Sequence, residues 1–239
     1  MSPIESNLQQ ARQSIDAAIA GCAGAVAREV SLVAVSKSQP ADAVRTAFDA
    51  GQRAFGENYA QEGVAKIEAL ADLKSRDMEW HFIGPLQSNK AGVVAQHFNW
   101  VQSVDRMKIA EALSARREGA PLNVLVEVNV SGEATKGGVP PADALTFARA
   151  VAVLANLRVR GLMSIVENIS DEATQRAQFR ALRRLYDQGR SEGLAFDTLS
   201  MGMSGDFRIA IEEGATMVRL GTAIFGARAP KASPLERVA

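Results

Sequence analysis

Apolar and polar positions along this chain change their period near residue 30. Before it, Ile4, Leu8, Ile15, Ile19 and Val26 fall broadly on one face of a helix, which predicts a leading helix over residues 3–29. After it, short runs of β-branched and apolar residues alternate with amphipathic, alanine-rich stretches of helical length. The runs lie at about residues 31–36, 53–57, 79–84, 100–104, 122–130, 157–165, 197–202 and 217–220. Each of these eight predicted strands except the last is clearly followed by a helix, the order that produces a parallel sheet.

Eight repeats in about 200 residues favour a closed (β/α)8 TIM barrel, an α/β fold, over an open doubly wound sheet. No Gly-x-Gly-x-x-Gly fingerprint follows the first strand, although spacing alone leaves the open sheet as an alternative. The expected organisation is an N-terminal helix over residues 1–30 packed on the barrel, the barrel itself over 31–228, and a loose tail over 229–239. Asn58, with Gln61 three residues on, is expected to cap one helix, and Asp105, ahead of Arg106-Met107-Lys108, another.

Composition narrows the function. With 239 residues, 47% hydrophobic and 23% charged, the chain suits one domain with a full core. Lys plus Arg balances Asp plus Glu at 27 each, which gives no reason to expect nucleic acid or an anionic membrane as partner. Cys22 is the sole cysteine, so an intrachain disulfide and a cysteine-cluster metal site are excluded. His81 and His97 form no metal-ligand motif, and no metal is expected. Without a signal-peptide pattern or spanning segment the expected location is cytoplasmic. A monomer is the expectation in the absence of a sustained heptad.

The candidate chemistry starts at Lys37, which ends the apolar run from Leu32. An amine where a buried strand exits into a loop is poorly solvated, which lowers its pKa and suits it to form a Schiff base. Barrel active sites lie at the carboxyl ends of the strands, and phosphate is often held after strands seven and eight. There the chain carries Ser200-Met201-Gly202-Met203-Ser204-Gly205-Asp206 and Arg219-Leu220-Gly221-Thr222, small polar loops able to offer N–H and hydroxyl donors. Amine plus phosphate cradle points to pyridoxal phosphate. Arg219, if it points inward, is placed to donate to the pyridine nitrogen; it keeps its proton, so that nitrogen stays unprotonated. Each residue alone also has a structural reading: Lys37 as a loop lysine, Ser204 as a helix cap, Arg219 as half of an outer ion pair. His81 reads as a partly buried strand residue and Lys136 as a solvated loop lysine.

Further motifs join these: Ala34-Val35-Ser36-Lys37, Phe55-Gly56-Glu57-Asn58-Tyr59, His81 through Lys90, Ser103-Val104-Asp105, Gly161-Leu162-Met163, Leu199 through Ser204, and Val218 through Gly226. Over residues 31 to 227 the chain resembles the YggS/PROSC family of pyridoxal phosphate homeostasis proteins, whose barrel is similar to that of alanine racemase and other fold-type III enzymes. The resemblance implies that Lys37 carries the Schiff base, that Ser204, Gly221 and Thr222 hold the phosphate, that Arg219 faces the pyridine nitrogen, and that Asn58 lies beside the ring. Met203 belongs to the same cofactor-binding set, while Lys136 and Lys90 match family lysines and stand as accessory sites.

Alanine racemase adds a second domain and a tyrosine base from a partner subunit. No such domain is expected in this chain, and of its tyrosines, Tyr59 and Tyr186, the latter sits in a predicted helix over residues 176–190. No catalytic residue is therefore assigned. The expected function is non-catalytic binding of pyridoxal phosphate, for storage or for delivery to apo-enzymes. A racemase-like enzyme and a cofactor-free phosphosugar barrel are the alternatives.

Overall fold

In the computed structural model, which describes residues 1–22, 29–133, 136–166 and 171–226, eight parallel strands close into a barrel in sequence order. They are β1 (Ser31–Val35), β2 (Ala54–Glu57), β3 (Glu79–Phe82), β4 (Trp100–Val104), β5 (Leu122–Glu127), β6 (Leu157–Met163), β7 (Thr198–Ser200) and β8 (Met217–Leu220). Closure comes from β1 pairing β8 in the register Ser31 to Met217 through Ala34 to Leu220. Among the described residues the helices are α1 (Pro3–Ala20), α2 (Ala41–Asp49), α3 (Ala60–Ala69), α4 (Ala91–His97), α5 (Met107–Ser114), α6 (Ala144–Ala152), α7 (Glu172–Ser191), α8 (Phe207–Glu212) and α9 (Thr222–Phe225). The expected fold class is the one observed.

Strand alternation divides the burial into two layers. Outward side chains such as Phe55 and Phe82 join Phe48, Phe98 and Phe179 of the surrounding shell in one large apolar core. Inside the barrel Trp100, Leu125 and Met163 form a small apolar cluster, and Val33 is buried there too. His81, Gln102, Ser200 and Arg219, on β3, β4, β7 and β8, are buried there as well, so much of the barrel interior is polar. That polarity needs internal hydrogen bonds, which reach the functional end of the barrel.

The leading helix is shorter than predicted. Ser2 and Glu5 form a capping box ahead of Pro3, and Gly21 terminates the helix by donating its N–H to Ala17 O at 3.1 Å. Leu8, Ala11 and Ile15 are its buried face, while Ile4 and Ile19 pack at the margin. Val26 and the predicted tail over residues 229–239 lie outside the described residues. Burying Leu8 and Ile15 stabilises by about 1.5–3 kcal/mol each. α1 thereby covers the seam where the barrel closes, with Asn7 Nδ2 donating to Ile224 O at 3.0 Å.

Several strands stop before their predicted ends because the chain turns into loops while single ladder bonds persist. Ser164 N donates to Ser200 O at 3.1 Å beyond β6, and Met201 N to Met217 O at 3.1 Å beyond β7. Both expected helix caps are corrected. Tyr59, not Asn58, occupies the cap position of α3, and Arg106, not Asp105, that of α5; neither makes a side-chain cap bond. The Asp105 carboxylate is instead held by the Arg106 guanidinium at 2.8 and 2.9 Å. No described helix is long and apolar enough to cross a membrane.

Candidate functional site

At the carboxyl ends of β1, β2, β7 and β8 lies a cavity of about 270 Å³. Lys37, Asn58, Met203, Ser204, Arg219, Gly221 and Thr222, all seven residues singled out from the sequence, line it. Val35, Ile83 and Ile165 form its apolar wall. Mostly apolar walls with a few convergent polar groups are what a small-molecule site needs.

Local sequence sets each of these groups. Val33, Val35 and Lys37 share the inner face of β1 and its extension by alternation, so the lysine is carried to the mouth on a buried strand. Asn58 follows directly on β2. A side chain at Gly84 would put its Cβ 2.3 Å from the Asn58 carbonyl oxygen, so only glycine permits the β3 loop to press on that backbone. This seat explains why Asn58 does not cap α3: its side chain lines the cavity, and its Oδ1 is buried with no hydrogen-bond partner among the described residues. Gly202 has φ +96°, and a Cβ there would lie 2.6 Å from that of Ala210, so the turn after β7 is sterically committed to glycine.

The loop it opens does not use Ser204 as a helix cap. Asp206 holds that position before α8, and its Oδ1 accepts from Met203 N at 2.5 Å. Ser204 Oγ accepts from Gly221 N at 3.3 Å, which joins the loops after β7 and β8. Burial pushes the Asp206 carboxyl up, against the bond from Met203 and the charge of Arg219. Lys37 and Arg219 thus bring two basic groups to the cavity against one lining acid, Asp206, which suits an anionic ligand.

Arg219 points inward, not to the outer wall. Its NH1 donates to Ser200 Oγ at 2.6 Å and its NH2 to Ser164 O at 2.9 Å. Ser200 Oγ donates in turn to Gln102 Oε1 at 2.7 Å, and Gln102 Nε2 lies 3.0 Å from His81 Nδ1. Since the amide can only donate there, Nδ1 is the acceptor and the neutral ring carries its proton on Nε2. His81 is fully buried, more than the sequence predicts, and burial holds its pKa below the ordinary histidine value. Burial draws the Arg219 guanidinium down to about 10, with Asp206 and Glu127 opposing, so it remains charged at neutral pH.

Glu127, at the end of β5, has its carboxyl pushed up to about 7 by burial and by Asp105, with Arg219 and Arg106 acting the other way. Lys136 lies 2.7 Å from Glu133 rather than loose in solvent, and neither it nor Lys90 lines the cavity. Tyr186 is buried in the shell, stacked on Phe196 with centroids 6.0 Å apart, and Tyr59 is 61% exposed.

Residues 4–229 match the model of the alanine racemase N-terminal domain family. The chain belongs to this family. Proteins named pyridoxal phosphate homeostasis protein from Pseudomonas aeruginosa, Vibrio alginolyticus and Escherichia coli K12 are 53%, 49% and 48% identical to it. Each alignment covers 95% of this chain and 97%, 99% and 98% of the relative, respectively, so the homeostasis branch of the family is the one to which the chain belongs. The structure of PipY from Synechococcus elongatus with pyridoxal phosphate bound is similar at a TM-score of 0.80 and 36% identity, over 93% of this chain and 100% of PipY. Alanine racemase from Corynebacterium glutamicum shares the fold at a TM-score of 0.68 and 19% identity, over 94% of this chain and 61% of that enzyme.

Sequence reasoning missed Ser200, Gln102 and His81 as supports of Arg219, although each stands at an inward position of a buried strand. It missed Asp206 beside the loop after β7. It also missed Glu57, Glu62 and Lys66, which lie behind Lys37. Lys66 shares the buried face of α3 with Ala60 and Gly63, and a lysine at that spacing was the available signal.

Proposed function

We propose that this protein binds pyridoxal phosphate in the cavity at the carboxyl mouth of the barrel, with Lys37 joined to it as a Schiff base, and that it holds the cofactor for storage or delivery. The observation that carries this reading is the convergence of an amine, an orphaned amide oxygen, an inward arginine and two joined small-residue loops on one cavity. The names of its relatives and the cofactor bound to PipY support the same reading.

The residues present fit the group. Ser204, Thr222 and the Gly221 N–H that now meets Ser204 Oγ are the phosphate donors, and the charge of Arg219 offsets the phosphate. Met203 closes the loop side, where its N–H is already given to Asp206. Asn58 presents its amide beside the ring. Arg219, fixed by Ser200 and the Ser164 carbonyl, is the donor toward the pyridine nitrogen, and a guanidinium that keeps its proton leaves that nitrogen without one. Bound pyridoxal phosphate supplies a reactive aldehyde and an electron-accepting ring; a ring nitrogen without a proton makes that ring a weak electron sink. Holding the cofactor fits such a site better than turning over a substrate.

Delivery is tested by mixing the loaded protein with an apo-enzyme that depends on the cofactor, with a trap for free aldehyde present. The expected outcome is stoichiometric activation faster than release into solution. Activation no faster than passive release would leave storage and remove delivery. Steady conversion of an L-amino acid to its D form, lost in Lys37→Ala, would instead establish the racemase-like enzyme.

A further inference from the structure

Lys37 sits in a four-residue turn. Gln39 N donates to Ser36 O at 3.0 Å, and Ser38, the third residue, has φ +62° while Lys37 does not enter the positive-φ region. That is the pattern of a type II turn, whose third position normally takes glycine. A serine holds this conformation only where its surroundings over-determine it.

The surroundings are a buried ionic cluster on the outer side of the barrel wall, beneath α3. Lys66, 6% exposed, donates its Nζ to Ser36 O at 2.6 Å, to Glu57 Oε1 at 2.7 Å and to Glu62 Oε1 at 2.7 Å. The hydroxyl of Ser36 donates to the same Glu57 oxygen at 2.6 Å, and Glu57 is fully buried. Glu62 Oε1 accepts from Ser38 N at 2.5 Å. The carbonyl and hydroxyl before Lys37 and the amide after it are therefore all tied to one cluster. Lys66 directs its donors to these three acceptors, and it does not line the cavity.

We propose that Lys66, with Glu57 and Glu62, is a positioning cluster that clamps the turn and so aims the Lys37 amine into the cavity. The inference rests on the Schiff-base reading above for its chemical consequence, but the clamp itself acts on the backbone without cofactor. In the reaction it serves, the neutral Nζ lone pair attacks the aldehyde carbon to form the C–N bond. The aldehyde oxygen then leaves as water, taking both amine protons as the C=N bond closes. Misplacement of the attacking atom by about 1 Å slows such a step by about 100-fold.

The test uses the full chain with Glu62→Ala, which cuts the tether to Ser38 but leaves Lys66 on Glu57, and the double variant Lys66→Met/Glu57→Gln, which removes both buried charges together. Amide exchange at Ser38 and Gln39 is measured without added cofactor, beside the thermal midpoint. The rate of Schiff-base absorbance on adding pyridoxal phosphate is then followed. Both variants are expected to exchange these amides faster and to form the Schiff base at least about tenfold more slowly, while Glu62→Ala keeps its thermal midpoint. Unchanged exchange and an unchanged rate in both variants would overturn the proposal, as would slowing only in proportion to lost stability. If the wild type gives no adduct on Lys37, the functional reading fails, and the exchange measurement alone decides the clamp.

Discussion

Two buried cations flank the mouth of this barrel, and their partners differ in kind. Lys66, outside the wall, is met directly by two carboxylates and a carbonyl. Arg219, inside it, is met by a hydroxyl and a carbonyl, while the acids that oppose its desolvation, Asp206 and Glu127, act through space. A cation paired directly with carboxylates is held as a structural brace. One oriented by neutral groups keeps both its charge and its direction for a ligand. The distinction separates the lysine that supports from the arginine that binds, and neither residue type alone would reveal it.

Removal of each cation tests the contrast, and the largest effect is expected at the brace. Lys66→Met leaves Glu57, whose carboxyl burial already pushes up, buried and without its partner, and should cost about 3–5 kcal/mol in urea unfolding. A loss under about 1 kcal/mol would mean that the cluster is not a desolvated ion pair.

Glu127 gives the next largest expectation. Its carboxyl titrates at about 7 against an ordinary 4.5, so the native state keeps a proton that the unfolded chain has released. Stability therefore falls as pH rises from about 4.5 through 7, by up to about 3 kcal/mol in all. Unfolding followed between pH 5 and 8 should show this decline in the wild type and not in Glu127→Gln; parallel curves would contradict it.

Arg219→Met should cost less than Lys66→Met, about 1–3 kcal/mol, because its direct partners are neutral: the Ser200 hydroxyl, which keeps its bond to Gln102, and the Ser164 carbonyl. It should nevertheless weaken pyridoxal phosphate binding, measured by titration of absorbance. A cost equal to that of Lys66→Met would erase the contrast. Gln102→Leu is the smallest perturbation, about 1 kcal/mol, since it breaks the link from Ser200 to His81 while leaving Arg219 its direct partners. An effect on stability as large as that of Arg219→Met would show that the distant links carry the orientation.

The barrel and the strand-exit part of the cavity lining were legible in the sequence because both follow from local order, whereas Asn58 and Met203 were placed in the site by the family resemblance. Strand and helix periods repeat within a few residues, and loops after consecutive strands of a closed barrel must converge at one end. The helix caps were misread because Asn58 and Asp105 have the right residue type; a tertiary neighbour, Gly84, presses on the first, and the second is paired by the very next residue, Arg106. The two cation clusters were missed because each is completed by a partner far away in sequence, although Lys66 also meets Glu62 four residues away. Lys66 meets Ser36 thirty residues away, and Gln102 meets Ser200 at a separation of 98. No period or motif links such positions before the fold does.

The most direct test of the account is borohydride reduction of the wild type and of Lys37→Ala after addition of pyridoxal phosphate, followed by peptide mass mapping. The account predicts a phosphopyridoxyl group on the peptide that contains Lys37, with the Schiff-base absorbance lost on reduction, and neither signal in the variant. Absence of an adduct in the wild type, or an equal yield on another lysine when Lys37 is gone, would contradict it.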